Sequence, residues 1–215
     1  MSLYFKGITN YKKYSIGEKF MKLAVITGAT RPGRMTPRQS TWIVNTAAKM
    51  DGVEVEHVDL QDYPMPFFNE PISPRYNPDR VPAPEVQKWL DKIGSFDAYV
   101  WVTPEYNHTI PAVLKNVFDY LTWELQYKPS AVASHGTVGG ARAAVTLKEI
   151  LPEAQSVVIP KFSAVTHMSD LIDENGVLNA DAAANPYGPQ GQLEAMLTEL
   201  KWYSDALSAA RPNKA

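Results

Sequence analysis

The chain has 215 residues, 45% hydrophobic and 20% charged, with a formal net charge of −2 and no cysteine, a length that fits one good-sized domain better than two. The charge balance gives no electrostatic footprint for nucleic acid or an anionic membrane surface, and no apolar run approaches the ~20 residues of a membrane span. The missing thiols exclude disulfides, thiolate metal sites and a thiol nucleophile, and fit a reducing cytoplasm.

Residues 1–20, MSLYFKGITNYKKYSIGEKF, mix aromatic and basic side chains and lack the continuous apolar segment of a signal peptide. LYFKG at 3–7 comes close to a protease-cleavage tag, so residues 1–20 are expected to be an upstream extension or cloning remnant before a natural start at Met21. A short native arm that packs on a partner subunit is the alternative. One domain is expected over 21–215.

From Met21 onward strands and helices alternate. KLAVIT (22–27) is apolar without alternation, as in a parallel strand covered on both faces. After the loop GATRPGRMT, Thr36, Pro37 and Gln39 combine a capping hydroxyl, a proline at the first helical position and a glutamine three residues on, predicting a helix to about Met50. VEVEHVDL (53–60) reads as the second strand. Residues 61–84 are proline-rich and irregular, and loops of that length in a compact domain are often functional or touch a partner.

A helix is predicted over 85–96 and the third strand over 97–103. From Ile110 the apolar residues Val113, Leu114, Val117, Phe118 and Leu121 fall on one helical face, with Pro111 in the first turn and Thr109 as cap. SAVAS (130–134) and QSVVIP (155–160) are the fourth and fifth strands, with a helix between them and a last one over roughly 190–210. Five strands with intervening helices predict an α/β fold: one open, doubly wound parallel sheet.

Ligands of such sheets bind beyond the carboxyl ends of the strands. Three loops leave those ends. In TGATRPGR (27–34), glycines allow close backbone approach, helix-start amides favour an anion, and Arg31 and Arg34 with Thr30 and Thr36 suit phosphate oxygens. The loop is neither a Walker loop nor G-x-G-x-x-G. In the second loop, Pro104 ends the strand. Glu105, Tyr106, Asn107 and His108 then lie at the sheet edge, where free amides and the Tyr106 ring suit a flat heteroaromatic ligand. His108 is given no acid–base role. In SHGTVGGARA (134–143), Gly136, Gly139 and Gly140 let the chain pass close to a ligand, with Arg142 in the following first turn.

TGATRPGR, PEYNHTIPAVLKNVFDYL (104–121) and SHGTVGGARA, in that order, resemble the NADPH-dependent FMN reductase family of flavodoxin-like proteins, over about Met21 to Ala210. The resemblance implies sheet order 2-1-3-4-5 with helices on both faces, bound FMN, and homodimers or dimer pairs. It implies NADPH or NADH as co-substrate and a small-molecule acceptor such as free flavin, a quinone, an azo dye or a metal oxyanion. By position, Thr30, Arg31, Arg34 and Thr36 would hold the FMN phosphate. Pro104, Glu105, Tyr106, Asn107 and His108 would line the isoalloxazine, largely through backbone, and Ser134, His135, Gly136, Gly139 and Gly140 would close its other side. Many members carry Gly-Ser where this chain has Gly28-Ala29, and an aromatic where His135 stands.

The expected mechanism is ping-pong hydride transfer with no essential side-chain acid or base. A flavodoxin-type carrier acting only with a redox partner is the alternative, though the −2 balance offers little of the acidic face that steers such carriers. A Ser134–His135 hydrolase lacks a G-x-S-x-G elbow, and adjacent strand residues face opposite ways. The four histidines have no metal-ligand spacing. Phe67, Phe68 and Tyr76 of the long loop, with Trp123 and Tyr127, offer apolar surface for a partner subunit or for internal packing.

Overall fold

The computed structural model describes residues 20–185 and 187–211, so the extension expected over 1–20 lies, Phe20 apart, outside the described residues. Five strands, β1 (Met21–Thr27), β2 (Val53–Asp59), β3 (Ala98–Pro104), β4 (Pro129–His135) and β5 (Val157–Val165), pair in parallel in the order β2-β1-β3-β4-β5. The connecting helices are α1 (Thr36–Ala47), α2 (Pro84–Gly94), α3 (Ala112–Asp119) and α4 (Ala141–Glu153). Short α5 (Met168–Leu171) and α6 (Ala180–Ala184) precede the long α7 (Pro189–Ala210).

β1 shows why its sequence lacks polar alternation. Leu23 and Val25 pack with Trp42 and Ile43 of α1 and Leu193, Met196, Leu197 and Leu200 of α7. Ala24 and Ile26 face the other core, with Trp89 and Ile93 of α2, Leu114 and Val117 of α3 and Leu147 of α4. Helices cover both faces, so both faces of the strand must be apolar. Burying each large side chain contributes roughly 1.5–3 kcal/mol. The polar atoms of the buried aromatics are bonded: Trp89 Nε1 donates to the Val117 carbonyl at 3.2 Å, Trp101 Nε1 to Ser130 Oγ at 3.1 Å and the Tyr99 hydroxyl to the Ile93 carbonyl at 2.7 Å.

Three local expectations are corrected. The N-cap of α1 is Met35, with no side-chain cap; Thr36 is the first helical residue and its hydroxyl is used elsewhere. α3 begins at Ala112 with Pro111 as N-cap, and Thr109 closes a turn upstream instead of capping. β5 does not stop at Pro160 but runs to Val165. It is the edge strand, where a missing N–H disturbs no ladder, and its pairing shifts register between Ser130 and Val132.

The 61–84 segment is fastened to α3. Asn116 accepts from Phe68 N–H and donates to the Pro66 carbonyl, both at 2.8 Å. Arg80 grips Glu70 through two 2.7 Å bonds and donates to the Tyr120 carbonyl at 3.0 Å. Phe68 packs edge-on to Tyr120, whereas Phe67 and Tyr76 stay 77% and 81% exposed and Trp123 and Tyr127 remain partly exposed. Among the described residues no helix is long and apolar enough to cross a membrane.

Candidate active site

Strand order reverses between β1 and β3, so the loops after β1, β3 and β4 converge at the carboxyl edge. Gly28 opens the first. A Cβ there would lie 2.6 Å from the Val102 carbonyl oxygen and 2.8 Å from Leu114, so only glycine lets β1 and β3 remain in register up to the site. The Gly28 N–H still pairs with Val102 O at 2.8 Å. The amides of Ala29, Thr30, Arg31 and Gly33 then meet no acceptor among the described residues, and Ala29 is fully buried. Buried amides are almost always paired, so the unpaired N–H of Ala29, next to the more open amides of Thr30, Arg31 and Gly33, makes this run suited to an anion.

The two arginines of this loop part company. Arg34 turns to the end of β2, with Nη2 2.5 Å from Asp59 Oδ2 and Nη1 bonded to Gln61 Oε1. It is a strut whose charge is neutralised. Arg31 meets no carboxylate among the described residues. Its Nε donates to the Tyr106 hydroxyl at 2.8 Å and its guanidinium carbon sits 5.4 Å from the Tyr106 ring centroid. The Thr30 side chain has no bond among the described residues. Thr36 is buried, with Oγ1 3.0 Å from His135 Nε2.

The second loop is a two-residue hairpin. Tyr106 N–H bonds Thr109 O at 2.9 Å and Thr109 N–H bonds Tyr106 O at 3.0 Å, with Asn107 and His108 both left-handed at φ 47° and 69°. Turns of this kind favour Asn-Gly, so His108 occupies a position that suits glycine. Pro104 is the last residue of β3, paired with His135 across the sheet. The Glu105 carboxylate does not face outward. It takes Arg142 N–H at 3.0 Å and Arg142 Nη1 at 2.6 Å, closing the start of α4. Burial raises its pKa, but the hydrogen bonds and charge of Arg142 outweigh that and hold it below the ordinary value.

The third loop follows His135, which ends β4. Ser134 Oγ donates to the Gly139 carbonyl at 2.7 Å, and Gly139 and Gly140 are left-handed at φ 72° and 69°. A Cβ on Gly140 would meet His135 O at 2.8 Å. Glu105 N–H bonds His135 O at 3.1 Å, tying this loop to the second. The imidazole points to the first loop, not along the sheet edge, and burial followed by the nearby Arg31 charge pushes its pKa down to about 4.

The structure thus brings together Thr30, Arg31, Glu105, Tyr106, Asn107, His108 and Gly136 to Gly140 at one edge, while Thr36, Ser134 and His135 are buried and Arg34 turns aside to the end of β2. The sequence marks Gln39 only as part of a helix start and exposes neither its amide's 3.2 Å bond to Ser134 O nor Asp59, which neutralises Arg34. Both pairings join residues far apart in the chain, so no local motif announces them. Among the described residues no cluster of three or more metal-ligating side chains occurs.

A five-stranded 2-1-3-4-5 sheet with an anion cradle and an adjoining aromatic lip defines the flavodoxin-like class. FerB, a flavoenzyme NAD(P)H:(acceptor) oxidoreductase from Paracoccus denitrificans, shares this fold at TM-score 0.67 over 85% of this chain and 98% of its own, at 22% identity. An NAD(P)H-dependent FMN reductase of Schizosaccharomyces pombe is 34% identical over 151 residues, 70% of this chain and 76% of that protein. Another, from a Nectria species, is 31% identical over 189 residues, 83% of this chain and 93% of that protein. Residues 21–170 match the family of NADPH-dependent FMN reductases. The chain belongs to that family, and is an oxidoreductase that works with FMN and a reduced nicotinamide coenzyme.

Proposed function

We propose that this protein takes electrons from NADPH or NADH and passes them, in a ping-pong cycle, to a small acceptor: free flavin, a quinone, an azo compound or a metal oxyanion. One observation carries the residue-level reading: a run of unpaired amides, one of them fully buried, beside an arginine with no carboxylate partner among the described residues. That arrangement fits the phosphate of FMN, with Ala29, Thr30, Arg31 and Gly33 holding it. Tyr106, Asn107 and His108 on one side and Gly136 to Gly140 on the other fit the ring.

FMN, when bound, supplies the two-electron chemistry. The residues of this chain bind and orient. Arg31 serves both ends of the ligand, since the same guanidinium that faces the tail holds Tyr106 by its hydroxyl. Glu105 and Arg142 fix the second loop against α4. Among the described residues no carboxylate or imidazole is free at the ring end to act as an essential acid or base apart from His108, which we leave without a proton-transfer role. The coenzyme and the acceptor occupy one open face in turn.

The same surface reading favours a homodimer or dimer pair, with the fastened 61–84 segment presenting Phe67 and Tyr76 to a partner subunit, and a cytoplasmic location for a chain without cysteine. The test is oxidation of NADPH and NADH by the purified protein alone, with free FMN or a quinone as acceptor. Parallel double-reciprocal lines support the ping-pong cycle. Activity only after addition of a redox partner protein makes the chain a carrier.

A further inference from the structure

His135 stands where two elements are bolted together. It ends β4 and is 8% exposed. Its Nε2 lies 3.0 Å from Thr36 Oγ1 in the first turn of α1, and one turn on Gln39 donates to the neighbouring Ser134 carbonyl. The groups facing it come from several elements. From the first loop comes Arg31, the charge that together with burial disfavours the imidazolium. From α1 comes Thr36, uncharged. From the second loop comes Glu105, whose N–H donates to His135 O and whose carboxylate is held by Arg142 of α4. From β5 comes apolar Val165. The charge that bears on the ring is therefore a like charge, and the imidazole is neutral at neutral pH.

We propose that His135 is a positioning residue for the anionic tail of the ligand, and that settling of an anion in the first loop is coupled to uptake of one proton by this imidazole. The proposal rests on reading the first loop as the phosphate site. An anion beside Arg31 replaces an unfavourable neighbour by a neutral or negative one, which favours the imidazolium. Protonated Nε2 donates to Thr36 Oγ1 across the same distance, so the brace needs no rearrangement. The proton comes from solvent, one per ligand bound in the pH range between the free and liganded pKa values, and none above it. Where a relative carries an aromatic at this position, no such coupling exists.

The test compares wild type with His135→Gln, which keeps a donor for Thr36 but cannot titrate. Dissociation constants for FMN, from flavin fluorescence, are measured from about pH 7.5 to about pH 5, with riboflavin as the ligand lacking phosphate. Ionisation of the FMN phosphate is common to both proteins and cancels in their ratio. If liganding raises the proton affinity of His135 by about ten- to a hundredfold, wild type gains about two- to tenfold over the variant at the acid end, for FMN alone. A constant ratio overturns the proposal and leaves the phosphate reading intact; no FMN binding by wild type at any pH removes both. Should the variant fail to fold, NMR titration of the wild-type His135 imidazole with and without FMN decides, and an unchanged midpoint overturns the coupling.

Discussion

Arg31 and Tyr106, 75 residues apart, are joined by a 2.8 Å hydrogen bond from Nε to the phenol oxygen, with the guanidinium lying over the ring at 5.4 Å. One arginine therefore links the first loop to the second. Arg31→Ala removes the cation and frees the tyrosine. FMN affinity is expected to fall about 10- to 100-fold, the loss of a charge-assisted contact, while riboflavin binding changes little. Equal losses for both ligands would show that Arg31 acts on the ring loop alone. Fluorescence titration of both ligands makes the distinction.

Glu105 is a clamp by geometry, held between the backbone N–H and guanidinium of Arg142. Glu105→Gln is expected to cost about 1 kcal/mol of stability and to retain turnover once FMN is bound. Urea denaturation and steady-state rates at saturating FMN check the two halves. Total loss of turnover at full flavin occupancy would make the carboxylate part of the chemistry.

His108 sits at φ 69° in a two-residue turn whose preferred residue there is glycine. His108→Gly is expected to raise stability by about 0.5–1 kcal/mol, seen as a higher thermal midpoint, and to keep appreciable activity. Gly28→Ala should do the opposite. Its Cβ would meet a backbone oxygen at 2.6 Å that cannot move aside, so a loss of about 1–3 kcal/mol or more is expected.

The depressed pKa of His135 makes stability depend on pH. The unfolded chain binds a proton at this residue below about 6.5, whereas the folded ligand-free protein resists it until about 4. Stability is thus full above the unfolded value and falls as pH drops through this window, by about 3 kcal/mol in all. Denaturant midpoints of the ligand-free protein at several pH values should show this acid limb, flattened in His135→Gln.

The sheet was legible because its strands announce themselves. Residues 23–26 and 98–102 are apolar without polar alternation, as doubly covered strands must be, and β1 and β3 fall within one residue of the expected limits 22–27 and 97–103. β5 was cut short because Pro160 reads as a break, and only the sheet order, which makes β5 an edge, shows why it is not. The three loops could be found from glycines and punctuation. The roles of Arg34 and Thr36 could not. Both look like phosphate ligands in a linear motif, and both have side-chain partners distant in sequence that the motif does not show, Asp59 for Arg34 and His135 for Thr36. A motif fixes which residue types reach an edge; long-range pairing decides which of them remain free there.

The edge between β1 and β3 is proposed to hold FMN by its phosphate. The most direct measurement is parallel titration of flavin-free protein with FMN and riboflavin. Saturable binding of one FMN per chain is expected, at least about tenfold tighter than riboflavin. No binding of FMN, or equal affinity for the two flavins, would contradict it.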